Sequence, residues 1–234
     1  MLTEFKIFDK YLTELPEGKL LINTINAYSY NIARRDKKFE ESLKNCEVLI
    51  PDGISIVFAK RFLDGSRLKK IAGADLFCYE MKRLNEFCGK VFFLGSSERT
   101  LKKIKERAAI EFPDVKVFTY SPPYKAVFSS EENEIMINEV NQVKPDVLFV
   151  GMTAPKQEKW AYVNYDKLDV GHIDCIGAVF DFYAGTIRRA PNWMIKIGLE
   201  WFFRFCKEPK RLWKRYLIGN TFFFYYMLVE KIRS

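Results

Sequence analysis

An α/β fold is what this sequence predicts: a mostly parallel, Rossmann-like sheet with helices on both faces and a basic-aromatic helical appendage at the C-terminus. Three observations carry that expectation. Short apolar runs ending in Gly, Asp, Asn or Ser recur along the chain. Stretches of helical spacing separate them, and strand alternating with helix implies parallel strands whose crossovers cover both faces. From Pro191 onward the texture changes, and Trp193 to Tyr226 holds three of the four tryptophans together with many Phe, Tyr, Lys and Arg residues.

The expected strands, in order, are Leu20–Ile22, Val48–Ile50, Val91–Leu94, Val117–Phe118, Val147–Val150 and Ile173–Ile176. Helices are expected from Ile54 to Phe62, from Arg99 to Glu111, and from Glu131 to Val143, where Ile135, Ile137 and Val140 stand amid charge. The 234 residues suffice for one compact domain with an appendage and not for two enzymatic domains. Residues 1–190 read as the α/β domain, and residues 191–234 as an amphipathic, membrane-associating tail. Within that tail Arg204, Lys207, Arg211 and Lys214 or Arg215 fall at three- and four-residue spacing, one basic stripe if helical. Pro209 should kink or restart the helix.

Composition narrows the partners. Hydrophobic residues at 48% and charged residues at 29% describe a globular chain. Lys plus Arg at 38 against Asp plus Glu at 30 gives a net charge of +8, which suits nucleic acid, a phosphate-rich ligand or a membrane. Five cysteines without close C-x-x-C pairing fit a reducing cytosol, and the charged N-terminus lacks a signal-peptide core. The aromatic run from Tyr216 to Val229 is interrupted by Gly219, Asn220 and Thr221, and is shorter than the roughly 20 apolar residues a spanning helix needs. Membrane contact is expected to be peripheral.

In parallel sheets ligands gather at the carboxyl ends of the strands, which directs attention to Thr24, Asp52, Ser96, the loop at Lys156 and Gln157, and Asp181. His172 is the sole histidine, so a histidine triad or multi-histidine metal site has little to work with. Carboxylates are the natural bases. Asp52 follows a strand and precedes Gly53. Taken alone it reads first as the N-cap of the helix from Ile54, and one residue can fill both roles. Asp75 reads as a capping or first-turn acid. The Gly95-Ser96-Ser97 turn could hold a phosphate on helix amides but lacks both the G-x-G-x-x-G and the P-loop spacing, so capping is favoured. Gln157 could fork onto two sugar hydroxyls and Lys156 could meet phosphate, or both could belong to a solvated helix start. Asp181, flanked by Phe180 and Phe182, needs a polar ligand or a cation, with Arg188 and Arg189 as candidates. The absence of a D-x-D triplet argues for charge neutralisation by basic side chains instead of a metal.

These segments together resemble the WecG/TagA/CpsF glycosyltransferases, glycosyltransferase family 26. The likeness runs from Asn23-Thr24 through Pro51-Asp52-Gly53, Ala72-Gly73-Ala74-Asp75-Leu76 and Pro145 to Gly151. It continues through Pro155-Lys156-Gln157-Glu158-Lys159-Trp160, Phe180 to Gly185, Arg189-Ala190-Pro191, Gly198-Leu199-Glu200-Trp201 and Glu208 to Tyr216. The resemblance implies an inverting, metal-independent transferase that needs no cofactor. It would move an N-acetylmannosamine-type sugar from a UDP donor to a polyprenyl-diphosphate-linked sugar acceptor, in bacterial cell-surface polysaccharide synthesis at the cytoplasmic membrane face. It makes Asp52 the general base, with Thr24 and Asn23 placing substrate, Gln157 and Asp181 on the donor sugar, and Tyr124 near the uracil. Lys70 stands where many members of the family carry Arg, which turns a bidentate phosphate grip into a point contact.

The residues agree with that picture. Sugar inversion needs a base beside the acceptor hydroxyl, and without a metal the charge developing on UDP must be met by cations such as Lys156, Arg204, Arg211 and Arg215. The expected partners are therefore a UDP-sugar, the lipid-linked acceptor and an anionic membrane surface, without nucleic acid; a homo-oligomer is compatible. A non-catalytic basic α/β module that binds RNA is the alternative from another class. An oxidoreductase is demoted by the missing glycine fingerprint.

Overall fold

A computed structural model of the chain describes residues 2–233, without the side chains of residues 192 and 196. Six strands form one sheet: β1 (Leu20–Ile25), β2 (Val48–Pro51), β3 (Lys90–Gly95), β4 (Lys116–Tyr120), β5 (Val147–Gly151) and β6 (His172–Cys175). Every expected apolar run is at or within a strand, apart from Ile176, which lies just past β6. The order is β2-β1-β6-β5-β3-β4, and all five pairings are parallel.

Alternation along the strands divides the core. Ile22, Ile50, Phe93 and Phe149 face one side, where they pack on α4 (Gly73–Glu86), α5 (Glu98–Glu111) and the short α8 (Val179–Tyr183). Leu21, Phe92, Leu148 and Ile173 face α6 (Ser130–Val143) and α7 (Lys156–Asn164). A side-chain period of two buries both faces of the central strands, which is why they read as continuous apolar runs. A third cluster forms at the β2 edge, where α1 (Ala27–Ala33), α2 (Lys37–Lys44) and α3 (Ile54–Asp64) enclose Ile25, Tyr30, Phe39 and Leu49.

Helix starts follow their caps. Asn26 accepts from the amides of Tyr28 and Ser29 to open α1. Ser97 accepts from Thr100 N at 3.3 Å to open α5, and Asp75 accepts from Ala72 N at 2.8 Å at the start of α4. Both are the capping roles expected for them. His172 turns its Nδ1 to Glu80 at 2.9 Å, away from the strand tips.

Beyond Pro191 the chain is helical: α9 (Asn192–Lys196), α10 (Glu200–Lys207), α11 (Pro209–Trp213), a π turn (Lys214–Ile218) and α12 (Gly219–Arg233). Pro209 occupies the first turn of α11 and restarts the helix as expected. The last helix completes the third cluster: Phe223 and Met227 are buried beside Leu2, Phe5, Tyr30 and Leu63. Tyr30 donates to Glu230 at 3.1 Å, and Asn31 donates to Gly219 O at 2.7 Å. Part of the appendage is thus core for the α/β unit, which an amphipathic aromatic helix also permits. Among the described residues no helix is long and apolar enough to cross a membrane.

Candidate active site

Asp52 lies one residue past β2, where its amide donates to Ile25 O at 2.9 Å and so ties it to the end of β1. The residue before α3 is Gly53, at φ 128°, and it makes no side-chain cap. Only glycine adopts that dihedral without strain. The chain thereby enters the helix without using the Asp52 carboxylate, which is not the N-cap. Thr24, opposite Ile50 in register, stands beside it at the carboxyl edge of the sheet. Ile71 N donates to Pro51 O at 3.1 Å and holds the Lys70 loop against the same edge.

The C-terminal segment roofs this edge. Gly198, at φ 79°, sits so close to α3 that a Cβ there would lie 3.2 Å from Ile54. The result is a cavity of about 340 Å³ whose walls include Thr24, Asp52, Lys70, Glu200, Arg204 and Arg215. Arg204 lies 5.3 Å from the Phe182 ring centroid and Arg215 4.3 Å from that of Tyr28. The Nε of each is buried without a hydrogen-bond partner. Two guanidinium groups with unmet donors in one cavity call for an anionic ligand. The π turn carries Arg215, and its wider winding changes which residues the continuing helix turns inward.

Opposing influences set the Asp52 proton. Burial raises its pKa and Glu200 adds to this, while Lys70, Arg215 and Arg204 pull it down; the balance stands at about 6. A carboxylate so poised accepts a proton near neutral pH more readily than one at its ordinary 3.8. Burial lowers the pKa of Arg215. Glu200 pairs with Arg189 at 3.2 Å, and Arg189 also lines the cavity. Glu200 was not singled out from sequence, and Arg189 only as a candidate cation for Asp181, though both sit in strings that carry the resemblance. The available signal was Glu200 four residues before Arg204, which puts acid and cation on one helical face.

The other expected residues lie elsewhere. Asn23, on the opposite face of β1 from Thr24, is fully buried and donates to Ser42 O at 2.9 Å. Gln157 and Glu158 are buried at the start of α7, where Gln157 Nε2 donates to Glu158 Oε1 at 2.9 Å. Burial pushes Glu158 up to about 7. One oxygen of each, Gln157 Oε1 and Glu158 Oε2, is buried without a partner. Lys156 Nζ donates to Lys125 O at 2.5 Å and lies 3.5 Å from the Phe128 ring centroid, so it pins the loop that carries the fully exposed Tyr124. Asp181 accepts from Thr186 Oγ1 at 3.2 Å; Arg189, one of its two candidate cations, pairs with Glu200 instead. Arg211 is exposed and pairs with Glu208 at 2.5 Å. The basic stripe is therefore divided, with Arg204 and Arg215 in the cavity and Arg211 outside it. Among the described residues no group of three or more His, Cys, Asp and Glu side chains is disposed to hold a metal ion.

Comparison with known proteins bears on this arrangement. The model of the Glycosyl transferase WecG/TagA/CpsF family matches residues 2–234. The N-acetylglucosaminyldiphosphoundecaprenol N-acetyl-beta-D-mannosaminyltransferase of Bacillus subtilis (strain 168) is 30% identical over 198 residues, 84% of this chain and 75% of that protein. The enzymes of the same name from Bacillus spizizenii (strain ATCC 23059 / NRRL B-14472 / W23) and Staphylococcus aureus (strain MW2) are 28% and 26% identical. They cover 79% and 83% of this chain, and 70% and 75% of their own lengths. A match over all the described residues, with the strand-tip carboxylate and the arginines facing it in one cavity, makes this chain a member of the WecG/TagA/CpsF glycosyltransferase family.

Proposed function

We propose that this protein transfers an N-acetylmannosamine-type sugar, with inversion, from a UDP donor to a sugar carried on a polyprenyl diphosphate, in the building of a bacterial cell-surface polysaccharide. The observation that carries this reading is Asp52 in the same cavity as two half-buried arginines whose buried Nε donors are unmet. The relatives named above act on an undecaprenol-diphosphate-linked N-acetylglucosamine, which supplies the acceptor class.

In the reaction Asp52 takes the proton of the acceptor hydroxyl as its oxygen attacks the anomeric carbon. The bond from that carbon to the UDP oxygen breaks on the opposite face, and UDP leaves with the electron pair. Thr24 stands beside the base to place the hydroxyl. Lys70, Arg204 and Arg215 face the phosphate charge, which fixed cations in a desolvated cavity stabilise without reorganising. Gln157 and Tyr124 serve the donor from beyond the tips of β5 and β4, with Lys156 holding the Tyr124 loop. The protein works at the cytoplasmic face of the membrane, and the exposed Trp193, Trp201, Trp213 and Phe222 suit an interface.

The experiment is a screen of UDP-sugars against a polyprenyl-diphosphate-linked GlcNAc analogue, read by mass spectrometry, with and without EDTA. Transfer of one sugar with release of UDP, undiminished by EDTA, is expected. Activity that disappears with EDTA and returns with magnesium would overturn the metal-free mechanism, and no transfer from any UDP-sugar would overturn the donor assignment.

A further inference from the structure

The cation-lined cavity opens onto an apolar track that the transfer chemistry does not itself require. Phe58 of α3 and Phe224 of α12 both line the cavity, yet they are 60% and 58% exposed, so they form its rim. One helical turn further on, Phe62 and Leu228 are 48% and 56% exposed. Spacing of four residues places each pair on one face of its helix. The far ends of the two helices also meet: Lys231 Nζ donates to Leu63 O at 3.0 Å and lies 5.9 Å from the Phe62 ring centroid. Helices that share the cavity at Phe58 and Phe224, and contact again at Leu63 and Lys231, run side by side in the same direction away from the site. From Phe224 to Ile232, itself 85% exposed, the row on α12 extends about 12 Å.

Large aromatic and aliphatic side chains in adjacent exposed rows are costly in water unless something covers them. Polarity changes along this path from Lys70, Arg189, Arg204 and Arg215 inside the cavity to Phe58 and Phe224 at its rim and Phe62 and Leu228 beyond it, up to Lys231 at the far end. An anionic headgroup followed at once by an apolar chain has that same order of charge and hydrocarbon. We propose that the track binds the first isoprene units of a polyprenyl diphosphate, with the diphosphate among the cavity cations and the chain laid along α3 and α12. This rests on the transferase reading above, and it assigns the lipid part of the acceptor a protein site of its own in place of leaving it wholly in the bilayer.

The test uses two acceptors with the same GlcNAc-diphosphate headgroup, one on a farnesyl chain and one on a propyl chain, below their aggregation concentrations and without vesicles. Wild-type protein should show a KM at least ten-fold lower for the farnesyl acceptor. In Phe62→Ser/Leu228→Ser, which alters only exposed positions outside the cavity, that advantage should fall to two-fold or less, with kcat on the propyl acceptor and Tm unchanged. A double variant that keeps the wild-type ratio would overturn the track, as would a wild-type enzyme indifferent to chain length. Calorimetry with farnesyl diphosphate and inorganic diphosphate separates this inference from the transferase reading. Tighter binding of farnesyl diphosphate, lost in the double variant, would uphold the track even if no sugar were transferred. Equal binding of both by wild-type protein would refute it even if transfer occurred.

Discussion

The carboxyl edge of this sheet carries two clusters of polar side chains that differ in which hydrogen-bonding groups they leave unpaired. At the tips of β1 and β2, Asp52 and Lys70 meet Arg204 and Arg215 from the C-terminal helices, and both arginine Nε atoms are left unpaired. At the start of α7, Gln157 is bonded to its own neighbour Glu158, and Lys156 is occupied by the Lys125 carbonyl and the Phe128 ring. The first cluster draws on residues as far apart in sequence as Asp52 and Arg215, and its cations have room for a ligand. The second is local: Gln157 Nε2 and Lys156 are engaged within it, while the buried oxygens Gln157 Oε1 and Glu158 Oε2 are left unpaired, so it has acceptors to offer and must exchange partners to offer a donor. Motif membership does not fix what a residue is ready to bind: Arg204 and Arg215 offer unpaired donors to a cavity, whereas Gln157 has its Nε2 engaged and offers an unpaired carbonyl oxygen.

The strongest loss of activity is expected at Asp52. Asp52→Asn should lower turnover by about 10²–10⁴-fold, the usual contribution of a general base, with UDP affinity retained. A variant within a few-fold of wild type in a product-release assay would remove the open cluster from catalysis. Next in size, Arg204→Ala and Arg215→Ala should each cost about 10²-fold in kcat on a short water-soluble acceptor, a typical loss for one transition-state charge partner. Arg211→Ala, exposed and paired with Glu208, should stay within about three-fold, as surface ion pairs contribute little. Equal losses at all three positions would restore the undivided basic stripe and dissolve the contrast.

Smaller effects concern protons. With Asp52 at about 6, activity should fall as pH drops through 6, where the base becomes protonated. Glu200→Gln removes a neighbouring negative charge that raises Asp52, so the acid limb of the kcat/KM profile should move to lower pH. A limb that stays in place would show that Glu200 acts only through its pair with Arg189. Stability runs the opposite way from activity: a carboxyl whose pKa is raised on folding contributes most below 3.8, and that contribution is lost as pH rises through 6. Asp52→Asn should therefore melt higher than wild type at pH 8, and the gap should close below about pH 4. In the held cluster, Glu158→Gln keeps an acceptor for Gln157 and removes a group raised to about 7 by burial. Turnover should change by less than two-fold, while thermal stability above pH 7 rises; a ten-fold loss of turnover would mean that the Glu158 proton is used in the reaction.

Much of the fold was legible in the chain because a parallel sheet buried on both faces requires continuous apolar strands. Runs such as Val147–Val150 admit little else between two helical stretches. The restart at Pro209 and the caps at Asp75 and Ser97 were readable for the same local reason, since they depend on a residue and its next few neighbours. The recurring strings likewise sufficed to point to the family, and strand-end position sufficed to pick out Thr24 and Asp52. Net charge left RNA and membrane partners equally open, because a sum of charges does not say where they converge. What tertiary structure alone decided was which members of a pattern share a space. Alternation along β1 turns Asn23 into the core and leaves Thr24 at the cavity, and only the packing of α12 on α1 and α3 brings Arg215 back to Asp52. Arg204 and Arg211 are alike in type and near in sequence, but the break at Glu208 between their helices separates them, with one lining the cavity and the other in water. Glu200 gained its influence on Asp52 in the same way, since a carboxylate shifts the proton affinity of another only across a distance that folding sets.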